Sequence, residues 1–219
     1  LKIFNNNNTL KYTDWYIFTM LFIFMLSKSE KTKQFIVEKT APIFNTKGFT
    51  GTSLNDMINS TGLTKGSIYG NFINKDEVAV AAFDYNVSQV SKMFREEIQK
   101  QNTIRNKLLV YPHQYGKFLK HPFPQGGCPI LNTAIEADDT HPLLKAKAVT
   151  AFTNWKNSIV RLIEKGIEIK EFKKDINAEE TAIAIIALIE GGIMLTKLTG
   201  KPNYIKSITQ KVIDLINDL

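Results

Sequence analysis

The feature that constrains this chain most is a helical spacing of apolar residues that runs from residue 29 to the C-terminal end. Apolar side chains recur there at spacings of three, four and seven, and prolines and glycines stand mainly between the periodic segments. This period matches the 3.6 residues of an α-helical turn, whereas strands need a period of two. The pattern predicts an all-α fold with helices at 29–47, 52–60, 64–72, 74–100, 103–120, 129–137, 141–169, 178–199 and 203–217.

The most distinctive part of the pattern is a pair of short helices joined by a tight turn. The hydroxyl of Thr52 or Ser53 can cap the first helix, with Asp56 completing a capping box. Gly62 can adopt the positive φ that a tight connection needs, and Thr64 can cap the second helix. We therefore expect a helix-turn-helix. The outer face of its second helix carries five residues: Lys65, Gly66, Ser67, Tyr69 and Asn71.

The charge around this motif suits an anionic partner. Residues 28–75 hold seven lysines and three acidic residues, a net charge of +4, within a chain of net charge +7. Charge alone favours nucleic acid or a membrane surface without choosing between them, and it says nothing about the fold. The choice depends on the side chains of the second helix.

Those side chains suit contacts with DNA. Lys65 can reach guanine edges or phosphates, and Ser67 and Asn71 can form hydrogen bonds with bases. Gly66 is small enough to let the backbone approach the groove. We interpret residues 52–72 as a motif that binds double-stranded DNA, and ordinary packing of two capped helices is the alternative.

Residues that would support catalysis or metal binding are sparse. The single cysteine, Cys128, excludes an intramolecular disulfide framework and a multi-cysteine zinc site. The three histidines are scattered, and the sequence contains no HExxH, GxSxG or glycine-rich phosphate motif. We expect a cytoplasmic protein with no cofactor, no metal and no enzymatic activity. The alternative is an all-α enzyme or lipid-handling protein without sequence-specific DNA binding.

The first 27 residues differ from the rest of the chain. They contain an asparagine run and then an apolar stretch at 16–26. As a helix this stretch would be about 17 Å long, short of the roughly 30 Å hydrocarbon core of a membrane. We expect residues 1–27 to be a non-core extension and the protein to have no membrane partner. An extra packed helix and a membrane-associated segment at 15–26 are the alternatives.

A family resemblance lies in the stretch FNTKGFTGTSLNDMINSTGLTKGSIYGNFINKDEV. It resembles the N-terminal DNA-binding domain of the TetR/AcrR family of bacterial regulators. The resemblance implies a dimeric repressor of about nine helices, whose larger C-terminal part binds a small-molecule effector and releases the operator. The implied domains are a helix-turn-helix domain at 28–74 and an effector-binding and dimerisation domain at 75–219. The matching features are Phe44, Gly48-Phe49, Thr52-Ser53, Ile58, Gly62-Leu63, Lys65-Gly66-Ser67, Tyr69, Phe72 and Lys75.

The resemblance also implies which residues contact DNA. Many members of the family have a bulky histidine or tyrosine where Gly70 and Asn71 stand here, so the base preference stays open. Thr64, at the start of the second helix, belongs to the implied interface. Phosphate contacts are implied for Thr52 or Ser53, Tyr69 and Lys75, and base contacts for Lys65, Gly66, Ser67 and Asn71.

Dimerisation is implied for the last two helices. The segment 178–199 is apolar around much of its circumference, and Gly191 and Gly192 would permit close approach of a second helix. We expect a four-helix dimer bundle, and a single buried core helix is the alternative. The candidate interface residues are Ile183, Ala187, Gly191, Met194, Ile205, Ile208, Val212 and Ile216.

The effector pocket is expected among the helices between about residues 75 and 169. Large apolar residues at helical spacing are first of all packing residues, so each candidate also fits an ordinary core position. The apolar candidates are Tyr85, Met93, Tyr111, Tyr115, Phe118, Phe152 and Trp155, with Asn132 and Glu136 as polar anchors.

Cys128 stands at the expected start of a helix. It is the third residue of the segment GGCPILNTAIEADDTHPLL, which resembles a helix opening found in part of the family. A helix N-terminus lowers the pKa of a thiol, so a redox-sensing cysteine is one hypothesis, and a small buried thiol is the other.

Overall fold

The computed structural model describes residues 28–120 and 123–219. Within them it contains nine α-helices and no strand, which confirms the all-α prediction. The expected extension at 1–27, with its apolar stretch, lies outside the described residues. The helices are α1 (Lys28–Gly51), α2 (Leu54–Thr61), α3 (Lys65–Tyr69), α4 (Lys75–Gln99), α5 (Ile104–Tyr115), α6 (Pro129–Ala137), α7 (Pro142–Glu168), α8 (Ala178–Thr199) and α9 (Asn203–Asn217).

The first three helices share a core with the beginning of α4. Ile36 of α1, Met57 of α2 and Ile68 of α3 are fully buried in it. α4 then continues into a second and larger core, so one rigid helix belongs to both. The first core is closed from the C-terminal side by residues of α6 and α7: Ala137, Leu144 and Ala148.

A glycine interrupts α1 where the sequence predicts its end. Gly48 has φ 73° and ψ −180°, so helical geometry stops before it although the hydrogen-bond pattern continues to Gly51. The positive φ favours glycine. An added Cβ would also lie 2.2 Å from a carboxylate oxygen of Glu136, which packs directly over the kink.

Two helices end earlier than the sequence pattern predicts. α3 ends at Tyr69 rather than near residue 72, because Gly70 is a poor helix former, yet Phe72 still reaches the core. α5 ends at Tyr115 rather than near residue 120, because Gly116 follows as the C-terminal cap. The predicted inward side of α3, at Ile68 and Phe72, is therefore correct, whereas the predicted C-terminal ends of α3 and α5 are not.

The larger core forms around α8. Ile185, Ile189 and Ile193 of this helix have no exposed surface. α9 packs closely against α8 at Gly192, where an added Cβ would lie 2.9 Å from a methyl group of Ile205. Gly192 is therefore a contact between helices of one protomer, since any side chain there would push α9 away.

α8 is also long and apolar enough to cross a membrane, judged by length and composition alone, and it is the one such helix among the described residues. Seven of its residues are buried against the rest of the protomer. Core packing thus accounts for one side of the helix.

Glu190 is an acid within this apolar helix. Neither of its carboxylate oxygens has a well-formed hydrogen bond to a described residue. Burial raises the pKa of Glu190 from 4.5 to about 7, and the Cys128 thiol and the charge of Lys197 only partly oppose that rise. An acid with a raised pKa in the folded state costs stability above its unfolded pKa, and the cost grows until the pH passes the folded value.

We expect Glu190→Gln to remove this pH dependence. The variant should be more stable than the unaltered protein, and this gain in the free energy of unfolding should be larger by roughly 2 kcal/mol at pH 8 than at pH 5. Urea titrations at both pH values and at one protein concentration measure the difference. Glu164→Gln, at an exposed position of α7, is the matched control. A difference that does not change with pH would contradict the assignment.

Candidate functional site

α2 and α3 form the helix-turn-helix that the sequence predicts. The Ser53 hydroxyl accepts a hydrogen bond from the backbone N–H of Asp56 at 3.1 Å, and the Asp56 carboxylate accepts one from the N–H of Ser53 at 2.8 Å. Gly62 has the expected positive φ, 68°. The Thr64 hydroxyl accepts from the N–H of Ser67 at 3.2 Å and so caps α3. The capping predictions are confirmed, with Ser53 rather than Thr52 as the cap of α2.

Asp56 also fixes the direction of α1 relative to α2. Its carboxylate lies 2.6 Å from the Nζ of Lys47. Hydrogen bonds from Lys47 and from the N–H of Ser53 hold the pKa of Asp56 well below its usual range. Asp56 is therefore ionised at any physiological pH and serves the fold of the motif.

α3 presents a small polar surface. Lys65 and Gly66 are exposed, and Ser67 and Tyr69 are half-buried. Around Gly66 the space is open, since an added Cβ would meet no described atom closer than 3.9 Å. The buried Ile68 and Phe72 hold the opposite side of this segment against the core. A short helix held from behind, with a cation and small polar groups in front, fits the shape of a DNA groove.

Besides the two caps, Thr52 and Asn71 also use their side chains within the protein. Thr52 is fully buried, and its hydroxyl donates to the carbonyl of Gly48 at 2.6 Å, so a phosphate cannot reach it. The Asn71 amide donates to the carbonyl of Ser67 at 2.9 Å and accepts from the Ser29 hydroxyl at 2.9 Å. Asn71 therefore links the start of α1 to the end of α3.

Lys75 stands at the first turn of α4. Its Nζ lies 4.4 Å from the centre of the Phe49 ring, a distance typical of a cation–π contact. The ring of His141 also contacts Phe49, in a T-shaped arrangement with ring centroids 4.5 Å apart. Lys75 is thus held next to the helix-turn-helix by a residue that directly follows the kink in α1.

A cavity of about 840 Å³ lies among α4, α5, α6 and α7. Three of the predicted pocket residues line it: Tyr111, Tyr115 and Trp155. Trp155 stacks on Tyr115 with ring centroids 5.4 Å apart, and Tyr115 contacts Phe94 at 5.1 Å. The cavity therefore has an aromatic wall.

The other four apolar pocket candidates do not line this cavity. Tyr85 packs against the first core, and Met93 packs against the second on another side of α4. Phe118 is buried against Phe123. Phe152 is 36% exposed on α7. Helical spacing identified them as packing residues, but it does not tell which side of a core is left empty.

The two predicted polar anchors lie outside the cavity and instead hold α1. The Glu136 carboxylate accepts hydrogen bonds from the backbone N–H groups of Phe49 at 2.7 Å and Thr50 at 2.8 Å. The Asn132 amide donates to the carbonyl of Asn45 at 2.9 Å. Because they are four residues apart, Asn132 and Glu136 share one face of α6. The cavity is lined by the beginning of the same helix, at Cys128, Pro129 and Ile130.

Cys128 is buried, with 1% of its surface exposed. Burial, followed by the nearby charge of Glu190, raises the pKa of its thiol well above the usual value. The helix N-terminus does lower the pKa through two backbone hydrogen bonds, but burial is the larger effect. The predicted lowering is therefore wrong, and the buried thiol is the interpretation that fits.

The predicted dimer residues fall into two groups. Ile205, Val212 and Ile216 are at most 2% exposed, because they fill the core between α8 and α9 of one protomer, so they cannot meet a partner. Ile208 is half-buried beside Gly192. The α8 residues form an outward stripe instead: Ile183 and Met194 are each 45% exposed, Ala187 is exposed, and Gly191 has open space above it.

Sequence reasoning missed two features of the larger domain. Four basic residues stand on the wall of the cavity: Arg95, Lys107, Arg161 and Lys165. They are spread over three helices, so no linear pattern joins them. Glu190 is the other, and here a signal exists, because it is the one charged residue in the otherwise uncharged run 181–196.

Comparisons with known proteins agree with this geometry. Residues 36–82 match the family model described as bacterial regulatory proteins, tetR family, and residues 105–212 match the tetracyclin repressor-like C-terminal domain. A TetR-family transcriptional regulator from Cytophaga hutchinsonii is 47% identical with a TM-score of 0.84, covering 89% of this chain and 98% of that one.

Two further relatives are also transcriptional regulators. A TetR transcriptional regulator from Chloroflexus aurantiacus is 32% identical with a TM-score of 0.83, covering 87% of this chain and 96% of that one. An uncharacterised HTH-type transcriptional regulator from Lactococcus lactis is 28% identical over 184 residues, 80% of this chain and 88% of the relative. With a capped helix-turn-helix, a second helical domain and matches to both family models, the chain belongs to the TetR family of DNA-binding transcriptional regulators.

Proposed function

We propose that this regulator is a cytoplasmic homodimeric repressor that a small-molecule effector releases from its operator, and that it catalyses no reaction. The observation that carries the proposal is the double role of α6, which borders the cavity at one end and holds the end of α1 at the other. A ligand in the cavity and the DNA-binding helices thereby share one structural element. Membership of a family of transcriptional regulators supports the non-catalytic role.

The proposed DNA-binding surface centres on α3. Lys65, Gly66 and Ser67 lie at the exposed start of this helix and are the proposed base contacts. Lys65 is the one long donor among them. The proposed phosphate contacts surround them: Thr64, Tyr69 and Lys75. Ser53 is not among them, because its N–H and its hydroxyl both donate to the Asp56 carboxylate.

Substitutions should separate the two kinds of contact. We expect Tyr69→Ala to weaken binding on all sequences, and Lys65→Ala to lower preference for the operator over random DNA by roughly 1–3 kcal/mol. Fluorescence anisotropy with a promoter fragment from beside the gene, at two salt concentrations, measures both effects.

Lys174→Ala, at an exposed position far along the chain, is the control. Equal losses on all sequences for Lys65→Ala would make Lys65 a phosphate contact. If the unaltered protein showed no preference over random DNA, the operator model would be lost.

The outward stripe of α8 is the proposed dimer interface. Ile183, Ala187, Gly191, Met194 and Leu198 follow each other at spacings of four, four, three and four, which places them along one face. Leu198 is 78% exposed. An exposed apolar face of this length is typical of a protein interface, and a dimer would present two copies of α3 to major grooves about 34 Å apart.

A charge in the middle of this stripe should separate the protomers. We expect Met194→Asp to give a monomer that has lost most of its operator affinity, because the carboxylate would be buried without a partner. Sedimentation equilibrium measures the mass, and anisotropy measures the binding. Ile135→Asp, at a 64% exposed apolar position on α6, is the matched control and should stay dimeric. A dimeric Met194→Asp protein would place the interface elsewhere.

The proposed coupling between cavity and DNA runs through Glu136. Its carboxylate satisfies two backbone N–H groups that the kink at Gly48 leaves outside the regular helix. A displacement of α6 by a ligand would move these acceptors and, with them, the connection from α1 to α2. Charge-assisted hydrogen bonds of this kind are among the stronger ones in proteins.

Removing the charge should loosen this connection. We expect Glu136→Gln to increase hydrogen exchange at the amides of Phe49 and Thr50 by at least about tenfold, and to change operator affinity, because a neutral amide offers only one acceptor. Hydrogen exchange and anisotropy check the two parts. Asp139→Asn, at an exposed position just after α6, is the control. Unchanged exchange would show that the carboxylate does not hold the loop.

A further inference from the structure

The cavity wall has an aromatic part and a basic part. Its inner part is aromatic, formed by Phe94, Tyr111, Tyr115 and Trp155. Phe94 stacks on Tyr111 with centroids 5.1 Å apart, and Trp155 stacks on Tyr115. These contacts hold the rings against each other and leave their free surfaces toward the empty space, which suits an apolar ligand body.

The charged residues of the cavity wall are all basic. Arg95, Lys107, Arg161 and Lys165 line the cavity, and its lining contains no aspartate or glutamate. Lys165 is paired with Glu168 at 2.9 Å, outside the lining. In the described part of the chain, the other three form no ion pair. Like charges around one opening repel each other, and an anion between them would relieve the repulsion.

An unused hydrogen-bond donor lies in the same wall. The indole N–H of Trp155 is buried and has no partner among the described residues. A buried donor without a partner costs free energy, but the N–H itself has almost no accessible surface, so it faces packed atoms rather than the open cavity. Burial raises the pKa of Tyr111 to about 12, and the charge of Arg161 opposes that rise, so the guanidinium acts on the aromatic part of the wall.

We propose that the cavity binds an amphipathic organic anion, with an apolar body on the aromatic wall and an acidic head group among Arg95, Lys107 and Arg161. A cation would add to the repulsion between the basic residues, and a neutral molecule would gain nothing from their charges. The volume of about 840 Å³ accommodates a body of drug size. This inference rests on the proposed function of the cavity as the effector site and names the class of its ligand.

Three probes of equal chain length test the class: dodecanoate, dodecanol and dodecyltrimethylammonium, each used below its micelle concentration. Isothermal titration of the full chain measures their affinities. Dodecanoate should bind at least about tenfold more tightly than dodecanol, as one charge-assisted hydrogen bond implies, and the ammonium compound should bind least. Equal affinity for acid and alcohol, or tightest binding of the cation, would overturn the proposal.

The basic residues are tested by substitution. The double variant Arg95→Gln/Arg161→Gln should reduce dodecanoate affinity to about that of dodecanol and leave dodecanol binding unchanged, which also shows that the cavity is intact. Lys174→Gln/Lys206→Gln removes the same charge from exposed positions outside the cavity lining and is the matched control. An equal loss in both double variants would reduce the effect to net charge and overturn the assignment.

Operator release separates the ligand class from the effector role. If dodecanoate binds through the basic residues but leaves the operator complex intact, the ligand class is supported and the proposed effector function fails. If dodecanol releases the operator as well as dodecanoate does, the effector function is supported and the ligand class fails.

Discussion

The carboxylate of Glu136 makes the contact that joins the end of α1 to α6. The kink at Gly48 turns the chain out of α1 and leaves two backbone N–H groups without helical acceptors, and Glu136 accepts both of them. A glycine is needed at the kink because a Cβ there would meet that same carboxylate. The side chain of Asn132, one turn earlier, accepts a hydrogen bond from the Nζ of Lys197 and donates one to the carbonyl of Asn45. α6 is thereby fixed to α1 on one face, and its beginning is left to border the cavity.

Local features of the fold could be predicted from the sequence because they depend on neighbouring residues. The capping box of Ser53 and Asp56, the positive φ of Gly62 and the stop at Gly48 each follow from the chemistry of a few consecutive positions. The inward side of α3, at Ile68, follows equally from helical period. These features suffice to define the helix-turn-helix.

Contacts between distant segments could not be predicted in the same way. The period of α9 shows that Ile205 and Val212 are inward, but it cannot tell a core within one protomer from an interface between two. Asn132 and Glu136 looked like polar residues for a pocket, whereas each of them holds a backbone group near the kink of α1, 87 residues away in the chain. The basic residues of the cavity come from three helices, so only the fold brings them together.

The two ends of α6 have different consequences for how such a protein can diverge. Most of the cavity wall belongs to α4, α5 and α7, and these residues make none of the hydrogen bonds that hold the end of α1. Substitutions there can therefore change what the cavity accepts while the attachment of α6 to the DNA-binding helices is kept. Under the proposed coupling through α6, new ligand specificity can arise in α4, α5 and α7 while the same DNA-binding helices continue to control transcription.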